Sequence, residues 1–130
     1  MKEMINQNSE LIHSFYEILN SKDITGLHEK IMADTEFVFP LSLPYGGVSK
    51  GYEKIMDSFT VAFTYLGFTH FDVTNYMYDD DSIICLGIFY IGAFGFLFTD
   101  IFTARDNKIL KRVHFIDTAL ILDNFKTNFI

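Results

Sequence analysis

The sequence predicts an α+β domain: three N-terminal helices packed in the concavity of a curved, mainly antiparallel sheet, an α+β cone. Three observations predict it. Apolar residues recur at three/four spacing as far as Leu66. Beyond Gly67, four runs rich in Phe, Ile, Thr and Val are separated by turn residues. The 130 residues show no repeat, linker or second domain, so residues 1–130 read as one domain.

The first helix is expected over about Glu3–Asn20, with Asn8, Leu11, Ile12, Phe15, Tyr16 and Leu19 on one face. Ser21-Lys22-Asp23 ends it, and Asp23 can cap a second helix through about Met32. A strand follows over Thr35–Phe39 and Pro40 stops it. Pro40 to Gly51 holds both prolines and three glycines and reads as a loop. The third helix is expected over about Tyr52–Leu66, turning Ile55, Met56, Phe59, Ala62, Phe63 and Leu66 to one side. Strands are expected over Phe68–Tyr78, Ser82–Ile91, Phe96–Ala104 and Ile109–Leu122.

Composition bounds the function. The chain is 49% hydrophobic and 17% aromatic, with 15 Phe and no Trp, more aromatic surface than a core of this size needs. Spare rings suit a pocket or an oligomer interface. A net charge of −7 without a basic cluster argues against nucleic acid. The single Cys85 excludes an internal disulfide and a multi-cysteine zinc site, and reads as a small buried hydrophobe. The start MKEMINQNSE lacks the apolar core of a signal peptide, so the expected location is cytoplasmic. Ser82–Thr99 carries no charge, but its glycines, its Ile and Phe content and its acidic flanks indicate two buried strands rather than a membrane span. The strand Ile83–Ile91 is apolar on both faces, so its outer face needs a cover, and a second copy of the chain is the simplest one.

The hairpin Phe96–Asp117 is expected to floor a pocket. Asp106-Asn107 suits a two-residue type I′ turn, which pairs Arg105 with Lys108. Asp100 then faces Val113, and Phe96, Phe98, Asp100 and Phe102 share a face with Lys111, Val113, Phe115 and Asp117. A change of one residue in the loop flips that face, bringing His114 beside Asp100 and removing Asp117. If the preceding hairpin turns at Ala93-Phe94, Gly87 lies across from Asp100. Asp100, among Phe98, Ile101 and Phe102, is expected to be desolvated with a raised pKa. Asp117 lies about 13 Å along the same face, too far for a shared proton.

The order helix–helix–strand–loop–helix–four strands resembles the cone of nuclear transport factor 2-like proteins, and within it the SnoaL-like, ketosteroid isomerase-related branch. The resemblance is carried by FYEILNSKDITGLHEKIMADTEFVFP, LPYGGVSKG and FTDIFTARDNKILKRVHFID. It implies a cavity between sheet and helices, open at one end. It implies that Asp100 matches the isomerases' sheet aspartate, a protonated hydrogen-bond donor to an oxyanion. It implies that Asp117 matches the last-strand base of limonene-epoxide hydrolases. The chain departs from both sets. Phe39 stands where the isomerases carry their base, Phe15 stands where they carry a tyrosine with Tyr16 one position off, and Ile83–Tyr90 lacks the hydrolases' Arg and Asp.

Together these readings place Asp100 and Asp117 as candidate catalytic groups. Phe15, Tyr16, Phe39, Tyr45, Phe59, Phe63, Phe98, Phe102, Val113 and Phe115 are the candidate pocket lining. The expected ligand is a small apolar molecule with one or two oxygens. The expected chemistry is proton transfer of isomerase, cyclase or hydrolase type, with no metal or organic cofactor. The alternative is a ligand-binding or dimerisation module of the same fold, its pocket filled by its own phenylalanines.

Overall fold

The computed structural model describes the backbone of residues 2–67, 69–119 and 121, and side chains from residue 7 onward. Helix α1 spans Lys2–Ser21, a 3-10 turn spans Ile24–Glu29, strand β1 spans Ile31–Phe39, β2 spans Gly47–Lys50, and helix α2 spans Tyr52–Leu66. Strands β3 (Thr69–Asp79), β4 (Ser82–Ile91), β5 (Phe94–Arg105) and β6 (Lys108–Ile116) follow. One sheet has the order β2-β1-β6-β5-β4-β3. All neighbours are antiparallel except β1 and β6, which run parallel. The fold is the expected α+β cone.

Local differences have local causes. Asp23 does cap the second helical segment, accepting from the Thr25 amide, but the segment is one 3-10 stretch with Gly26 inside it, and β1 begins earlier than expected. The Pro/Gly loop hides β2, an edge strand of four residues too short to show a period. Strand β6 ends at Ile116, and Thr118 and Ala119 turn helical, where a strand to Leu122 was expected. Phe68 and Leu122, the expected ends of two strands, lie outside the described residues.

The core forms where α1 and α2 meet the inner face of the sheet. Leu11, Ile12, Phe15, Tyr16 and Leu19 of α1 are buried, as are Ile55, Phe59, Ala62 and Leu66 of α2. They meet alternate residues of every long strand, the period-two pattern of a one-sided sheet. The outer face is apolar and partly open: Leu97 is 80% exposed and Phe115 51%.

The two hairpins decide what points inward. The β5–β6 turn is Asp106-Asn107 with φ of 55° and 60°, and Arg105 pairs with Lys108 as expected. The expected register nevertheless fails, because β6 carries an extra residue between the pairs Ala104–Ile109 and Thr103–Lys111. That bulge sets Asp100 opposite His114 and reverses every following side chain. The β4–β5 hairpin turns at Gly92-Ala93, with Ile91 paired to Phe94, so Asp100 faces Cys85 and Gly87 faces Phe98.

Candidate functional site

The β6 bulge turns Arg112 and His114 inward and Val113 outward. Phe115 is half exposed on the outer face, and Asp117, past the end of β6, is exposed. Val113, Phe115 and Asp117 therefore leave the expected pocket face. Arg112 and His114, 1% and 6% exposed, replace them.

Asp100 is the centre of the buried cluster. Tyr16 Oη donates to Oδ2 at 2.5 Å, Arg112 Nη2 donates to Oδ2 at 2.9 Å, and His114 Nδ1 lies 2.6 Å from Oδ1. Burial pushes the carboxyl's pKa up. The Arg112 charge, the His114 contact and the Tyr16 hydroxyl outweigh burial and hold it at about 2. The expected raised pKa is thus corrected: desolvation alone would raise it, but the register supplies a cation that was not foreseen. Burial raises the Tyr16 hydroxyl well above its ordinary value and the adjacent carboxylate adds to this, so Tyr16 stays a donor. Cys85, across from Asp100, is buried and pushed to about 12, chiefly by burial.

Burial also lowers the His114 pKa, while Asp100 opposes that shift, and the net direction is downward. An ionised carboxylate only accepts, so the proton on the 2.6 Å contact belongs to Nδ1. The neutral ring then carries its lone pair on Nε2. Arg112 Nη2, 3.3 Å from the same Nδ1, is a close neighbour rather than a donor to it. Arg112 Nε is buried and makes no hydrogen bond among the described residues. Its guanidinium is ringed by phenylalanines: Cζ lies 5.3 Å from the ring centre of Phe15, 5.6 Å from Phe37 and 5.8 Å from both Phe59 and Phe71. Ring faces attract a cation, most where water is excluded.

A small cavity of about 20 Å³ adjoins this cluster. Its wall includes Phe39, Tyr45, Phe59, Phe63, Arg112 and His114, so four of the expected lining residues are here. Phe15, Tyr16, Phe98 and Phe102 are instead buried in the packed core behind it, their rings in mutual contact. Asp100 is wholly buried and is absent from the cavity wall, whereas His114 and Arg112, which contact its carboxylate, are in that wall. Phe71 and Phe89, also in the wall, were not among the expected lining. Both stand on inward strand positions, a signal the sequence does carry. Tyr45 lies edge-on to Phe39 at 5.6 Å and keeps its proton, its pKa raised by burial.

Elsewhere, in the run Asp79-Asp80-Asp81 between β3 and β4, Asp81 accepts from Arg105 on the surface, and Asp80 takes a turn conformation with φ of 51°. Among the described residues no cluster of His, Cys, Asp and Glu is arranged to hold a metal ion. Among the described residues no helix is long and apolar enough to cross a membrane. His13 stacks on Tyr76 at 4.4 Å and His28 meets Tyr52 edge-on at 4.6 Å.

No protein-family model matches the chain, and no curated protein sequence matches it. Solved structures do. A nuclear transport factor 2-like protein of unknown function from Burkholderia pseudomallei K96243 superposes with a TM-score of 0.84 at 17% identity, over 92% of this chain and 97% of that one. This chain has the nuclear transport factor 2-like fold. TerC, crystallised with polyporic acid, superposes at 0.86 with 22% identity, over 92% of this chain and 98% of TerC. A Jannaschia sp. CCS1 protein provisionally classed as a SnoaL-like polyketide cyclase superposes at 0.79 with 14% identity, over 92% of each. Within the nuclear transport factor 2-like cone, the cluster around Asp100 lies between sheet and helices. There a neutral imidazole, held by a carboxylate, stands beside a buried cation.

Proposed function

We propose that the chain binds a small, mainly apolar molecule carrying one or two oxygens and moves a proton on it without a cofactor. The observation that carries this reading is the buried Asp100–His114 pair with Arg112 beside it, both His114 and Arg112 standing in the wall of an apolar cavity. His114 Nε2 would take the proton. Asp100 would hold the ring in the Nδ1–H tautomer and stabilise the imidazolium that forms. Arg112 would face the anion left on the ligand. Asp100 is here a positioning residue, and Asp117 takes no part. Crystallisation of TerC with a small organic acid, on the same fold, supports a ligand of this kind.

A suitable probe is 2-tetralone, an apolar bicyclic ketone whose hydrogens beside the carbonyl are acidic. In heavy water, proton NMR should show the protein accelerating deuterium uptake at that carbon. His114→Gln should remove the acceleration by roughly 100-fold or more, the usual range for a general base. Binding of 2-tetralone without acceleration would end the catalytic reading. It would leave the second one, a binding module, which the cavity's size of about 20 Å³ favours. That volume holds little more than one water, so a ligand must part the surrounding rings.

The apolar outer face supports a homodimer through the sheet. Leu97, Ile101 and Phe115 stand open on β5 and β6, and contiguous apolar surface of this kind is characteristic of an interface. Light scattering at micromolar concentration should give about twice the 15.0 kDa chain mass, and a clean monomer would remove the proposal.

A further inference from the structure

Two separate hollows meet at one pair of side chains. The inner cavity of about 20 Å³ lies between α2 and the sheet. A larger groove of about 300 Å³ lies outside, where the parallel strands β1 and β6 end side by side. Phe39 and His114 belong to the walls of both. The groove's other walls include Pro40, Leu41, Val113, Phe115 and Ile116, so Phe115 borders both the groove and the apolar outer face of the sheet. Leu41 is 87% exposed, an apolar side chain standing in solvent at the rim. Phe39 is 3% exposed and is fixed edge-on against Phe59 at 5.5 Å and Tyr45 at 5.6 Å.

We propose that this groove is the entrance and outer half of the ligand site, and that Phe39 is the gate between it and His114. The inference rests on the acid–base reading of His114 and adds to it a route and a ligand shape. The inner cavity takes only the leading oxygen and the atom bearing it. The ligand's apolar body stays in the groove, between the end of β1 with Leu41 and the end of β6. A volume of about 300 Å³ is the lower end of ordinary small-molecule sites, while about 20 Å³ is not a site by itself. The ligand is therefore an elongated or flat apolar molecule with its oxygen at one end. The position supports the assignment. Pro40 stops β1 directly after the gate and starts a loop of tight turns, Leu43 N–H to Pro40 O and Gly46 N–H to Leu43 O. The Phe39 side chain is thus the last one that the β1 ladder holds before the chain leaves the sheet, and swinging it off Tyr45 and Phe59 would join the two hollows.

Access to His114 can be measured without the natural ligand. Diethyl pyrocarbonate, a small apolar reagent, acylates imidazole nitrogens. Peptide mass spectrometry gives a separate rate for each histidine. His13, His28 and His70 are exposed and serve as references in the same sample. Phe39→Ala, or Phe39→Leu where the alanine variant does not fold, should raise the His114 rate about tenfold at unchanged reference rates, equivalent to ~1.4 kcal/mol off the opening cost. Leu41→Trp, which fills the rim, should lower it. Phe63→Ala opens the helix side of the inner cavity and should raise it much less than the Phe39 variants do. A rate that rises in Phe63→Ala and not in the Phe39 variants overturns the proposal, as does a rate that none of the substitutions moves. Failure here is separate from failure of the acid–base reading. If 2-tetralone exchange depends on His114 while the Phe39 variants leave its modification unaltered, the route alone is wrong. If the gate behaves as stated and exchange is never accelerated, the chemistry alone is wrong.

Discussion

Asp100→Asn is expected to destabilise the protein by about 3–5 kcal/mol, the range for breaking one side of a buried ion pair. Asn and Asp have nearly the same shape, so packing is not the cause. The carboxylate accepts from Tyr16, Arg112 and His114 at once. An amide offers one acceptor and one donor in a place where donors converge, so at least one N–H or O–H is left facing another. The Arg112 charge, 1% exposed, also loses its counter-ion. Thermal unfolding should show a fall on the order of 10–20 °C, since ~1 kcal/mol moves the midpoint by roughly 2–8 °C for domains near this size. Asp100→Asn/Arg112→Met removes both charges and should recover much of the loss, because no uncompensated charge is then left buried. An unchanged or higher melting temperature in Asp100→Asn alone would refute the described cluster.

The same charge sets an acid limit. The folded Asp100 titrates at about 2 and its ordinary value is 3.8, so its folded pKa is depressed. The stability it contributes is complete above the unfolded pKa and is lost as pH falls through the folded one, which places the loss between about pH 4 and 2. The drop corresponds to roughly 2–3 kcal/mol at 1.36 kcal/mol per pH unit. Asp100→Asn should flatten that limb of the stability curve.

The fold was legible because several independent patterns agree. Helical spacing in the first half, period-two runs in the second and the Asp106-Asn107 turn each point to the same cone, and α2 occupies the expected Tyr52–Leu66. The candidate site was legible at Asp100 and in four wall residues, Phe39, Tyr45, Phe59 and Phe63, and at His114 only as the alternative register. One extra residue in β6 separates a face of Lys111, Val113, Phe115 and Asp117 from a face of Arg112, His114 and Ile116. Hydrophobicity favours the first face, and the chain uses the second. Burying Arg112 is tolerable only because Asp100 and the phenylalanine rings are already in place, and that compensation depends on the register it would have to reveal. Bulges leave no composition signal of their own. The resemblance to ketosteroid isomerases pointed to a tyrosine on the first helix, and Tyr16 does bond Asp100. There the spacing was off by one position and the contact was made nonetheless.

A second bulge makes the other large prediction. Strand β3 carries Thr74 as an extra residue between the pairs Val73–Gly87 and Asn75–Leu86, and Thr74 Oγ1 bonds the Leu86 carbonyl at 3.1 Å. The bulge presses the β3 backbone onto Gly87. A Cβ at that position would stand 2.2 Å from the Asp72 carbonyl oxygen and 2.8 Å from the Val73 Cα. Both are backbone atoms in a paired strand, so neither can swing aside. Gly87→Ala is expected to cost roughly 3 kcal/mol or more, the upper part of the overpacking range, because relief requires unpairing β3. Phe71 and Phe89, paired two positions along the ladder on the same face, stand in the cavity wall, so any protein that survives should also show altered access to His114. Gly95→Ala, on the partner strand β5, is the control. Its Cβ would meet Ile88 Cγ2 at 3.0 Å and Tyr90 Cε1 at 3.2 Å, side-chain atoms that can give by a few tenths of an ångström where backbone cannot. It should stay within about 1 kcal/mol of the wild type, as a substitution away from fixed backbone does. Urea unfolding of the two variants gives the comparison, and equal stabilities would mean that β3 is not bulged against Gly87.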